Sequence, residues 1–177
     1  MRVRDVFRSG QPRLPWRRLV PAVLGIVLLV GLLGVVGRAD DHIALFLGFA
    51  PSCVLVFLLP EAPVSQPVPV IGGCLTSACV GIIAAYTVPF TWWTAALTAG
   101  AATLVMALLR IIHPPAVAMA VIALSESADW LFLVRPALIA SVLIVGAALV
   151  WHRIFGVRYP VPGIQGSGRV ERHPQED

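Results

Sequence analysis

The stretch Arg110-Ile111-Ile112-His113-Pro114-Pro115-Ala116 sets an imidazole and two prolines inside a region that is otherwise apolar. Imidazole is the side chain whose proton moves near neutral pH. Each proline removes a backbone donor and breaks a helix. In hydrocarbon the carbonyls so freed need partners in protein or trapped water, so broken backbone at membrane depth lines a cavity. A second stretch, Phe49-Ala50-Pro51-Ser52-Cys53-Val54, places a hydroxyl directly after a proline. Gln66 and the pair Gly72-Gly73 follow, an amide and a point where backbone can approach another backbone or a ligand.

Pro51 suits the first turn of a new helix, where its missing donor has no partner to lose. Short helices are expected to begin at Pro51-Ser52 and at Pro114-Pro115. Helix N-termini expose unpaired N–H groups and carry roughly half a positive charge each, so two such ends facing one another favour a small anion. Its donors would be Ser52 Oγ, the N–H groups of Ser52, Cys53, Ala116 and Val117, and a protonated His113. The bland alternatives are a structural His113 bonded to a freed carbonyl, a turn-forming Gln66, and an Arg110 that snorkels to the interface. Glu61 and Glu126 read as loop acids.

Other chemistries are disfavoured by what the chain lacks. There is no local nucleophile and base pair, no metal-ligand cluster and no Gly-rich phosphate loop, so neither an enzyme nor a cofactor or metal is expected. Cys53, Cys74 and Cys79 lie in apolar segments without paired spacing and read as packing residues.

The elements that must carry these residues are membrane helices. Of 177 residues 58% are hydrophobic and 12% charged, and the mean hydropathy of +0.88 lies outside the soluble range. No charged residue or histidine stands between Glu61 and Arg110. Crossing a core of ~30 Å takes roughly 20 residues of helix, so that interval has room for two crossings. The net charge of +4 comes from arginines gathered at the two ends, as cytoplasmic flanks require. Membrane topology thus accounts for the basicity without nucleic acid.

Residues 1–18 are expected to form a basic cytoplasmic arm, residues 19–151 a membrane domain, and residues 152–177 a cytoplasmic tail, with disorder expected from about Gly163. Within the domain, long apolar helices are expected over about Leu19–Val36, Val70–Thr87, from Trp92-Trp93 to about Ile112, and over Leu131–Trp151. Residues 43–59 are expected to form two short helical pieces divided at Pro51 or to kink sharply there, and Ala116–Leu124 to form a further short piece. The pattern is long, broken, long, twice over, which is the internal symmetry that marks a transporter binding site. The fold class is therefore an all-α polytopic bundle: four full crossings, two short broken helices starting near the midplane, and a 3+3 internal repeat. Whether the short helices cross or re-enter stays open at this point.

These residues also resemble a known family. Phe49-Ala50-Pro51-Ser52-Cys53-Val54, then Pro63-Val64-Ser65-Gln66-Pro67 with Gly72-Gly73, then Leu109-Arg110-Ile111-Ile112-His113-Pro114-Pro115-Ala116 look like the blocks of the HPP integral membrane proteins, named for the triplet. The resemblance covers roughly residues 20–151. It implies four membrane helices and, from some plant and cyanobacterial relatives, a part in nitrite transport. Ala50-Pro51, Val68, Cys74, Val117 and Met119 depart from the family pattern and leave fewer polar groups for a site.

The expected function is a transporter or channel for a small monovalent inorganic anion, nitrite or nitrate in kind, in the cell's inner (plasma) membrane with both termini cytoplasmic. Pro51, Ser52, Cys53, Gln66, Gly72, Gly73, His113, Pro114, Pro115, Ala116 and Val117 are its candidate substrate-binding residues. The competing class is a non-transporting membrane scaffold or sensor in which the triplet is structural. Besides the anion, the expected partners are the lipid bilayer and further copies of the chain in a homo-oligomer.

Overall fold

The computed structural model describes residues 14–39 and 43–161; most of the expected basic arm and the expected disordered tail from Gly163 lie outside the described residues. They form helices and turns, with no strand among the described residues. In chain order these are α1 (Trp16–Ala39), α2 (Ile43–Leu47), α3 (Ala50–Leu58), α4 (Pro67–Thr87), α5 (Trp92–Leu108), α6 (Val117–Ser125) and α7 (Ala140–Ile154). Single 3-10 turns stand at Pro63–Ser65 and Pro114–Ala116. A π-helical segment, Leu133–Ile139, containing Pro136, leads into α7.

Among the described residues three helices are long and apolar enough to cross a membrane: Trp16–Ala39, Pro67–Thr87 and the joined Leu133–Ile154. Helix α5, with 17 residues, is a shorter apolar helix. Helix α1 starts at Trp16, inside the stretch expected to be a basic arm, and α7 runs to Ile154.

Prolines set several of the helix starts. Pro51 lies in the first turn of α3 and Pro67 opens α4 after the extended Gln66, positions where the lost donor costs nothing. Helix α5 starts on a capping box: Thr91 N–H donates to Thr94 Oγ1 (2.8 Å) and Thr94 N–H to Thr91 Oγ1 (3.2 Å), satisfying two orphan donors reciprocally.

Its end differs from the sequence expectation. The helix stops at Leu108 rather than near Ile112 because Arg110 turns left-handed (φ 59°). Ile111 N–H then bonds the Met106 carbonyl (2.9 Å) and Arg110 N–H the Ala107 carbonyl (3.1 Å), the Schellman pattern that glycine ordinarily provides. Helix α6 ends the same way on Ser127 (φ 49°), and after α7 Gly156 turns left-handed (φ 66°) while Val157 N–H bonds the His152 carbonyl (2.9 Å).

The central element is α4, packed against α5, α6, the π segment and α7. Close approach explains its glycines. A Cβ at Gly81 would collide with the backbone of Ala120 on α6. Outward faces are apolar, as at Val27, Leu97 and Leu104, which are all more than half exposed. The interior holds Ser52, Ser77, Thr94, Thr98 and His113. A bundle bathed in lipid can take this arrangement, because its exterior has no water to satisfy polar groups.

Helices α3 and α6 have 9 residues each. At 1.5 Å per residue that is about 14 Å, roughly half of a ~30 Å core. Their proline-marked N-terminal ends meet.

The Ser52 and His113 junction

His113 precedes the 3-10 turn Pro114–Ala116 in extended backbone, and Ser52 sits one residue after Pro51 in the first turn of α3. The two side chains meet: Ser52 Oγ lies 2.9 Å from His113 Nε2. On the other side of the ring, Nδ1 lies 2.8 Å from the carbonyl oxygen of Val64. A carbonyl can only accept, so Nδ1 carries the proton and donates it. In the neutral ring Nε2 is then the acceptor, and the Ser52 hydroxyl donates to it. His113 is 0% exposed and Ser52 1%.

The approach is possible because α4 presents Gly73 here. A Cβ at Gly73 would stand 2.9 Å from His113 Cβ, 3.1 Å from the Ile111 carbonyl oxygen and 3.3 Å from Met106 Sδ. Gly72 is less constrained, its nearest neighbour being the tip of the Ile111 side chain at 3.2 Å. Next along α4, the buried Ser77 hydroxyl has the Met106 sulfur as its acceptor, at 3.6 Å.

Of the expected site residues, the fold brings Ser52, Gly73, His113 and Ala116 into one buried junction. Cys53 is buried in the apolar core beside it. Pro51 and Pro114 are exposed, and Pro115 and Val117 are half-buried. Gln66 stands apart: its Nε2 donates to the carbonyls of Pro60 (2.9 Å) and Ala62 (3.0 Å), and its Oε1 accepts from Val161 N–H (2.9 Å). It braces a loop. Several amides proposed as anion donors have local partners: Cys53 N–H bonds Phe49 O, Ala116 N–H bonds His113 O, and Val117 N–H bonds Pro114 O.

Several participants carry no local signal in the sequence. Val64 contributes only a carbonyl. Tyr159 O–H donates to the Ser65 carbonyl (3.1 Å), and burial raises its hydroxyl above the ordinary tyrosine range. Residues 64, 65 and 66 thus take one bond each from His113, Tyr159 and Val161. His152, expected in the cytoplasmic tail, is buried instead, and its Nε2–H donates to the Val56 carbonyl (3.0 Å) in the last turn of α3. The last carbonyls of a helix lack intrahelical partners, and a histidine there supplies one.

A serine bonded to a histidine that a third group orients is also how a hydrolytic nucleophile is activated. Here the hydroxyl is buried, and the Cys53 amide that could stabilise an oxyanion is spent on Phe49 O. Among the described residues no group of three His, Cys, Asp or Glu side chains could hold a metal.

A family profile described as HPP, transmembrane region, matches residues 11–160. No curated protein and no solved structure gives a match.

Proposed function

From the premise that the chain belongs to the HPP transmembrane family, we propose that it carries a small monovalent inorganic anion, of the nitrite or nitrate kind, across the bilayer through the Ser52–His113 junction. The observation that supports this most is a fully buried imidazole where two proline-marked, half-length helices meet. Ionisable groups inside a membrane are costly and tend to be functional.

In this reading α1, α4, α5 and α7 cross the bilayer, α3 and α6 penetrate it in part, and both termini share the basic side. The 3+3 repeat pairs α1, α3 and α4 with α5, α6 and α7. The protein is not an enzyme. Its junction is shut, and the anion replaces the Ser52–His113 bond, accepting from the serine hydroxyl and from an imidazolium N–H. Opening must part α3 from the 3-10 turn at Pro114–Ala116 without losing Val64 as the ring's second partner.

The amide pairings favour one competing reading. Because Cys53, Ala116 and Val117 already donate to local carbonyls, the triplet could serve as a clasp that fixes the bundle and transports nothing. Reconstitution into proteoliposomes separates the two. Purified protein should accelerate nitrite or nitrate flux over empty vesicles, and Pro114→Ala with Pro115→Ala should abolish it while the protein stays in the membrane. If neither nitrite, nitrate, chloride nor formate moves, the clasp is correct.

A further inference from the structure

At the opposite end of α3 lies a separate cavity of about 290 Å³, between the start of α1, the turn after α3 and the end of α7. We propose that it binds the headgroup of a phospholipid bearing a primary ammonium, of the phosphoethanolamine kind. The inference rests on no part of the transport reading.

Two residues lining this cavity, Trp151 and His152, each keep a buried polar atom without a partner: Trp151 Nε1 and His152 Nδ1. Native interiors rarely leave such atoms unpaired. Their roles are fixed. Indole N–H only donates. His152 is 3% exposed, and its Nε2–H is committed to the Val56 carbonyl, so Nδ1 presents a lone pair. A ligand that reached these two atoms would need an acceptor for one and an N–H or O–H for the other.

Arg18 and Glu61 line the same cavity and add one charge of each sign. The donors Arg18 and Trp151 suit a phosphodiester, and the acceptors Glu61 and His152 suit an ammonium that still has hydrogens. Phe57 and Phe155 complete apolar walls from which acyl chains can continue along the bundle. The volume sits near the lower limit of ligand pockets, roughly 300 Å³, which fits a headgroup. Arg17 and Arg153 stand next in sequence to the lining residues Arg18 and His152, and basic side chains of this kind attract lipid phosphate. A choline headgroup offers no N–H to His152 or Glu61, and a glycerol headgroup leaves Glu61 without a counter-charge.

The test uses the delipidated full chain in detergent and native mass spectrometry, with dioleoyl phosphatidylethanolamine, phosphatidylcholine and phosphatidylglycerol in competition. Losing hydrogen bonds to charged groups should favour the ethanolamine lipid over the choline lipid by roughly ten-fold. Glu61→Gln, at an exposed position, should bring that preference near parity, whereas Trp151→Phe, which removes a donor to the phosphodiester that both lipids carry, should weaken retention of both and leave the preference in place. Equal retention of the ethanolamine and choline lipids overturns the proposal, as does an undiminished preference in Glu61→Gln. A stronger hold on phosphatidylglycerol would reduce the cavity to a general basic patch. Displacement by equimolar glycerophosphoethanolamine would make the ligand a soluble compound, not a lipid.

Discussion

Gly73 faces His113 so closely that a methyl group added at 73 would stand 2.9 Å from the histidine Cβ. The backbone of α4 and that of the triplet are therefore matched surfaces. Gly73→Ala should cost about 1–3 kcal/mol, the usual range for overpacking, because the Ile111 carbonyl on its other side is backbone and cannot swing away. Gly72→Ala meets only the end of a flexible isoleucine and should be much milder. Denaturation midpoints in detergent compare the two, and equal losses would contradict this account of the junction.

Ser52→Ala leaves His113 Nε2 as a buried acceptor with no donor, at a cost of roughly 1–3 kcal/mol. Ser52→Thr retains a hydroxyl. If the junction conducts, flux should fall in Ser52→Ala and in His113→Gln and survive in Ser52→Thr. A clasp predicts the same stability order with no flux in any of them, wild type included.

Arg110 occupies a left-handed conformation that costs a non-glycine residue roughly 1–2 kcal/mol. Arg110→Gly should then raise the denaturation midpoint while preserving the helix end. A lowered midpoint would mean that the guanidinium holds the turn in place by contacts of its own.

Tyr159→Phe removes the bond to the Ser65 carbonyl and should cost about 1 kcal/mol at neutral pH. The hydroxyl is harder to ionise when folded than when unfolded, where its pKa is near 10. An acid whose pKa is raised by folding supports the fold below its unfolded pKa and loses that contribution as the pH climbs above it. The wild type should therefore weaken above about pH 10, and the phenylalanine variant should weaken less over the same range. Parallel pH profiles would show that Tyr159 is not the group responsible.

The breaks in the fold are written in local chemistry, which is why they can be read directly. Pro51 and Pro114 cannot continue a helix, and helix starts stand at each. Of the two forms Pro51 allowed between residues 43 and 59, a pair of short helices or one sharp kink, the chain takes the pair, Ile43–Leu47 and Ala50–Leu58. Helix ends were harder, because Arg110 and Ser127 adopt the conformation that glycine signals in sequence. The π-helical turn around Pro136 had no legible marker either. For the junction, residue types pointed to Ser52 and His113, but their direct bond spans 61 positions and depends on how α3 and α4 pack. Val64 could not be foreseen, since an acceptor carbonyl belongs to every residue. His152 reads as part of a basic tail and becomes a helix cap only because the end of α7 lies beside the end of α3.

The loop that holds the His113 ring is fastened from behind by residues beyond the final helix, Tyr159 onto Ser65 and Val161 onto Gln66, across 94 and 95 positions. Proteolytic trimming or a premature stop after Ile154 would spare every long helix yet untie two of these fastenings. Damage far along the chain would then be felt at the buried imidazole.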